Sequence, residues 1–337
     1  MPNFLPSLIA ALCWGAMFPI SAPALERVDA VNFTALRYAG ATLIFVALLA
    51  AIEGRRAFSF EGRAKRLFVL GTYGFAGFNL LSFAALEHTS PQHAALIVAL
   101  TPIITLLMRW QSTGETPARA QLALVVVAFL GVGLVITNGD PGTLIDGGVG
   151  IGELMVLGGG IMFIRFTLGA QEFPGWSPLR YTALAVPLGT LSILAVAAAG
   201  AAGGWLDIPS GADVGAIAPE LAYVILAGAV TGVLAWNAGV AKLGPANAAL
   251  FMNLVPITAF AVEAIKGTSP HAWEVVGAAI TVTALVAANL VARRAAASAA
   301  PAHPPQERHD RLEEVVGLGR GGQRVEVAGA GGAIDQR

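Results

Sequence analysis

Long apolar runs, broken at short intervals by glycine, proline and charge, fill this chain from residue 4 to residue 292. About twenty mostly apolar residues are what an α-helix needs to span the hydrocarbon of a bilayer. Such stretches fall at 4–22, 33–52, 67–86, 92–111, 120–137, 151–170, 178–199, 219–240, 244–265 and 272–292. The pattern predicts an all-α integral membrane protein of ten transmembrane helices. Glycines that would weaken soluble helices serve here as close contacts between helices, as Gly131 and Gly133 can in the fifth.

One block of the pattern occurs twice. Ser90-Pro91-Gln92-His93-Ala94-Ala95-Leu96, continuing to Pro102, matches Gly244-Pro245-Ala246-Asn247-Ala248-Ala249-Leu250, continuing to Pro256, at a constant offset of 154. The same offset carries Leu67 to Leu221 and Gly74 to Gly228, whereas Leu36-Arg37-Tyr38 and Leu179-Arg180-Tyr181 match at a different one. Two copies of a five-helix unit are therefore expected, residues 1–138 and 151–294. Five is odd, so the second copy inserts upside down relative to the first. Inverted repeats of this kind are the architecture of alternating access.

Composition and charge then set the surroundings. With 56% hydrophobic and 12% charged residues and a mean hydropathy of +0.70, the chain is far from the roughly 25% charged residues of soluble domains. Arg55, Arg56, Arg63, Lys65, Arg66, Arg119, Lys242, Arg293 and Arg294 gather in alternate connections, while the intervening ones carry Asp140, Asp146, Asp207 and Asp213. By the positive-inside rule both termini are cytoplasmic. The expected location is a bacterial cytoplasmic (inner) membrane, crossed many times. No basic n-region or small-residue cleavage site precedes the first stretch, which reads as a span. The single Cys13 reads as a small packing residue. Residues 295–337, rich in Ala, Pro and Gly, are expected to form a disordered cytoplasmic tail.

Ionisable groups at mid-membrane are costly and mark function. Arg37, Arg109, Glu153, Arg165, Arg180 and Glu263 all fall within a few residues of a predicted helix end, from which they can snorkel to the interface. The midplane is left to neutral polar and aromatic groups. Trp14, Phe18, Asn79, Phe83, Trp236, Asn237 and Asn253 are the substrate-binding candidates, because an asparagine in hydrocarbon must find a partner on another helix or on a substrate. Pro102 and Pro256 are candidate kinks or gates, since proline removes a helical N–H. His93 and Glu263 are the candidate coupling groups, His93 because its charge changes near neutral pH.

Several of these residues carry a family resemblance. Trp14-Gly15 with Phe18, Arg37 early in the second helix, the stretch Ala84 to Pro102, Gly114-Glu115, Gly131-Val132-Gly133 and the stretch Trp236 to Pro256 resemble the drug/metabolite transporter superfamily, in its ten-helix branch of two EamA-type repeats. Arg109 departs from that pattern, as do Glu263 and Lys266 where a Gly-Glu pair is usual. The resemblance implies transport of amino acids or related metabolites, often outward. Related small multidrug exporters resemble a single copy and rely on an acidic residue in the first helix, where this chain has Trp14. A permanently charged cation is thus disfavoured as the substrate.

Enzymatic alternatives find little footing. His88 and His93 are five residues apart across Pro91, which is not the three- or four-residue spacing of a metal pair on one helix face. No phosphate loop, paired aspartates or activated serine stands out, so no catalytic residue, metal or cofactor is expected. The reading is a secondary transporter of small organic metabolites, amino-acid-like or related solutes moved outward, by alternating access between the two inverted repeats. The alternative is a non-transport membrane protein, a receptor-like scaffold or a membrane-embedded enzyme. The partners expected are a small-molecule substrate and the lipid bilayer, with no nucleic acid and with a homodimer left open.

Overall fold

The apolar runs form helices, and side-chain caps mark the starts of several of them. The computed structural model describes residues 3–114, 116–140, 150–243, 248 and 250–299. Asp29 caps the second helix by accepting from the Val31 and Asn32 amides. Ser90 and Ser177 each cap a helix whose first residue is proline, and they accept from the His93 and Arg180 amides. Proline suits that position because its missing N–H would have no helical partner there.

Among the described residues six helices are long and apolar enough to cross a membrane. They are α1 (Leu5–Leu25), α2 (Ala30–Ile52), α3 (Ala64–Glu87), α6 (Ile151–Glu172), α7 (Pro178–Ala202) and α8 (Ala218–Leu243). Four shorter apolar helical segments fall where the other predicted spans lie. These are α4, in two pieces (Pro91–Val98 and Thr101–Thr113), α5 (Arg119–Ile136), α9 (Leu254–Ile265, after a 3-10 turn at Leu250–Asn253) and α10 (Ala272–Ala288). No strand occurs among the described residues. Glu115, the connection from 141 to 149, the stretch Gly244 to Asn247 and the tail from 300 to 337 lie outside them.

The helices up to Arg293 form one unit. Its buried centre holds Phe18, Phe33, Phe45, Phe75 and Phe83, while Leu43, Leu130 and Ile257 point outward, as expected of a bundle bathed in lipid. α1 packs on α8 and α9, and α6 packs on α3 and α4. α2 packs on α7 and α8, and α7 on α2 and α3. At the α2–α7 crossing the hydroxyls of Thr42 and Thr190 meet at 2.9 Å. The α3–α7 crossing is closer still: a Cβ on Gly189 would stand 2.4 Å from the Gly71 carbonyl oxygen. Only glycine permits that approach.

Two helices widen where they cross the centre. α3 is π-helical over Thr72–Gly77, and α8 over Val224–Thr231. The offset of the sequence repeat carries the first segment into the second. A π-turn bonds i to i+5, so carbonyls swing out of the usual register and can take other donors.

The proline positions differ from the mid-helix kinks expected. α4 stops at Val98 and restarts at Thr101, which puts Pro102 in the first turn of the second piece. Pro256 likewise lies in the first turn of α9. The missing Pro102 N–H leaves the Val98 carbonyl open, and the Thr101 hydroxyl donates to it instead. Both prolines therefore sit at helix breaks rather than at bends.

Candidate functional site

A cavity of about 30 Å³ lies at the centre of the bundle. It is room for a water or two, not for an organic solute, so a larger guest needs the helices to part. Its walls come from α1 (Trp14, Met17, Phe18), α2 (Arg37, Tyr38), α3 (Gly74, Phe75, Phe78, Asn79), α4 (Val98, Thr101), α6 (Gly160, Phe163), α8 (Val233) and Met252 just before α9. The first π-segment borders it through Gly74 and Phe75, and the second is tied to two of its lining residues, Trp14 and Arg37. Three carbonyls of these segments accept side-chain donors: Val224 from Arg37 Nε at 3.2 Å, Gly228 from Trp14 Nε1 at 2.9 Å and Phe75 from Asn79 Nδ2 at 2.9 Å.

Arg37 departs most from expectation. It does not snorkel. Its side chain is 2% exposed and turns inward, two turns into α2. Nη1 donates to Asn79 Oδ1 at 2.7 Å, and the guanidinium carbon stands 5.0 Å from the Tyr38 ring centre and 5.4 Å from that of Phe83. Asn79 Nδ2 also donates to the Tyr38 hydroxyl at 2.9 Å. Among the described residues no carboxylate pairs with Arg37. Sequence depth alone allowed either direction; the acceptor that draws the guanidinium inward, Val224, is 187 residues away.

The other sequence candidates divide. Trp14, Phe18 and Asn79 line the cavity. Trp236 and Phe83 stand behind it: the Trp236 ring lies 5.7 Å from that of Trp14, and the Phe83 ring 6.1 Å from that of Phe18. Asn237 is engaged elsewhere, donating to Thr182 Oγ1 at 2.7 Å. Asn253 is 3% exposed, and among the described residues neither its amide oxygen nor its nitrogen has a partner, nor does Trp236 Nε1. Buried polar groups are rarely left so.

Charged groups gather at the two ends of the bundle. At the start of α6, His93 lies between Glu153 (3.7 Å) and Glu274 (3.6 Å), which bridges α4, α6 and α10. Glu263 is buried against Lys266 at 3.1 Å, and Lys266 also donates to the Pro19 carbonyl. At the far end of α6, Glu172 receives Arg66 (2.7 Å) and Arg165 (2.9 Å). Nearby, Arg180 donates to Glu61 at 2.7 Å and stacks over Trp176. The Trp176 indole N–H and Arg180 hold the Glu61 carboxyl below its usual range. Arg180 thus does reach a helix end, unlike Arg37, because it stands at the third residue of α7.

The chain's relatives fit this architecture. The EamA-like transporter family model matches residues 4–137. The chain is 31% identical over 294 residues to YrdR, an uncharacterized transporter of Bacillus subtilis (strain 168), across 86% of this chain and 92% of that one. It is 28% identical over 281 residues to YyaM, an uncharacterized transporter of the same organism, across 83% and 90%. A crystal structure at 19% identity superposes with a TM-score of 0.63 over 87% of this chain and 98% of that chain, a likeness of fold. The chain is a multi-pass membrane protein and belongs to the EamA-like transporter family.

Proposed function

We propose that this protein is a secondary transporter that exports a small, amino-acid-like metabolite by alternating access between two inverted units, residues 1–138 and 151–294. The observation that carries the proposal is the central cavity, which draws walls from both units. Packing supports the inversion. Exchanging each helix for its counterpart five later turns the α1–α8 contact into α6–α3, α1–α9 into α6–α4 and α2–α8 into α7–α3, all of which occur. The Thr42–Thr190 contact then lies on the axis, each threonine standing equally far along from its helix cap, Asp29 or Ser177; that spacing, an offset of 148, aligns the two helices differently from the Leu36-Arg37-Tyr38 match, which is then not part of the repeat.

The breaks beside Pro102 and Pro256 serve as gates on this reading, because Val98, Thr101 and Met252 at those breaks also line the cavity. His93, held between two carboxylates from two other helices, is the favoured coupling group. Glu263, tied to Lys266, is second. Both termini lie in the cytoplasm of a bacterial cell on the charge pattern alone.

The test is flux. Purified protein in liposomes, loaded or bathed with a fractionated metabolite extract, is expected to accumulate or exchange particular solutes that protein-free vesicles do not. Vesicle contents identical with and without protein, in every fraction and with either direction of gradient, would favour a scaffold or membrane-embedded enzyme instead.

A further inference from the structure

We infer that Arg37 is an anion-recognition group and that the transported solute carries a carboxylate beside an apolar body. This rests on the transporter reading and narrows its substrate class. Arg37 is the charged residue among those lining the central cavity. An arginine stays charged under all ordinary conditions, and a buried charge without a counter-ion is among the costliest features a fold can keep. Here its partners are neutral, the Asn79 amide oxygen and the Val224 carbonyl. Nη2 makes no hydrogen bond among the described residues, and it lies close beside Gly228, where an added Cβ would stand 3.3 Å from Nη2 and 3.3 Å from Met17 Sδ. A bound carboxylate accepting from the guanidinium in the cavity that Arg37 lines would supply the missing negative charge.

The remaining walls describe the rest of the guest. Trp14, Phe18, Phe75, Phe78 and Phe163 give it aromatic faces, which favour an apolar body. Asn79 and Tyr38 act as positioning residues, holding Nη1 and the face of the guanidinium, while Nη2 is left without an acceptor among the described residues.

The probes are 3-phenylpropionate and its neutral amide, which match in shape and differ in charge. Binding to detergent-purified protein is read by intrinsic fluorescence, since Trp14 lines the cavity and Trp236 touches Trp14. The native protein is expected to bind the acid at least roughly tenfold more tightly than the amide, the worth of a charge-assisted hydrogen bond. Arg37→Gln should abolish the preference and Arg37→Lys should keep part of it. Gly228→Ala leaves the charge and its hydrogen bonds in place but crowds Nη2, so it should weaken the acid several-fold and leave the amide unchanged; this variant decides the matter if Arg37→Gln does not fold. Equal responses to acid and amide in the native protein, or an unchanged acid preference in Gly228→Ala, would overturn the inference. Acid binding that survives where vesicle flux fails would instead remove the transporter reading and leave the anion site standing.

Discussion

Asn79 offers a quantitative test of the buried arginine. In the second copy the repeat offset places Val233 at the corresponding position, so Asn79→Val is a substitution the architecture already tolerates elsewhere. It removes the 2.7 Å acceptor for Arg37 Nη1 and the donors to the Tyr38 hydroxyl and the Phe75 carbonyl. A hydrogen bond to a charged group contributes about 1.5–3 kcal/mol, and neutral bonds inside membrane proteins average about 0.6 kcal/mol each. The expected loss is about 3 kcal/mol. Arg37→Met combined with Asn79→Val removes the charge together with its partner, and replacing both halves of a buried polar pair costs much less than removing one. The double variant should then be more stable than Asn79→Val alone by about 2 kcal/mol, a coupling within the range seen for residues in contact. The assay is unfolding in mixed micelles at rising denaturing-detergent fraction, followed by far-UV circular dichroism. A single-variant loss below about 1 kcal/mol, or strict additivity in the double variant, would refute the claim that Arg37 is held in the core as an uncompensated charge.

Three further outcomes follow from the same geometry. Gly189→Ala forces a Cβ to within 2.4 Å of the Gly71 carbonyl oxygen, so it should cost about 1–3 kcal/mol by overpacking, read in the same unfolding assay; a neutral result would mean α3 and α7 are not in close contact. Asn253→Leu removes an unpartnered buried amide and should raise stability by about 1 kcal/mol or more while lowering flux per folded molecule; destabilisation with normal flux would make Asn253 a helix–helix contact. His93→Asn, which copies the residue of the second repeat, should make flux insensitive to an imposed pH gradient while exchange continues, and a gradient response that survives it would move the coupling group elsewhere.

Sequence patterning located the helices well because burial in lipid demands a length that composition reveals. The sixth stretch, 151–170, became α6 at Ile151–Glu172, and the seventh, 178–199, became α7 at Pro178–Ala202. Proline chemistry was legible in kind but not in place: a missing N–H could bend α4 or divide it, and the Thr101 hydroxyl, which satisfies the Val98 carbonyl, belongs to the divided form. The π-segments had no signal in hydropathy, since a sixth residue in a turn leaves the apolar pattern intact; the aligned Gly74 and Gly228 were the one trace of them. Arg37 was placed at an interface by counting residues, but direction depends on acceptors from α3 and α8 that only the packed fold brings near. Trp14, Phe18 and Asn79 could be named from depth alone because depth puts them at the level of the cavity. Asn237 shares that depth yet faces α7, which no periodicity in a uniformly apolar helix distinguishes.

The central claim is that the cavity opens to one side and then to the other. Val98 lines it at the break in α4, so a single cysteine introduced by Val98→Cys, with Cys13 replaced, reports its access in oriented vesicles. A membrane-impermeant maleimide should label that cysteine from either face. Adding Arg66→Cys and Glu172→Cys and joining them with a bifunctional thiol reagent before Val98→Cys is probed should pin α3 to α6 where Arg66 and Glu172 now pair. Labelling should then persist from the face nearer His93 and disappear from the face nearer Glu172. Labelling from one face only in the uncross-linked protein, or from both faces after cross-linking, would contradict alternating access through this cavity.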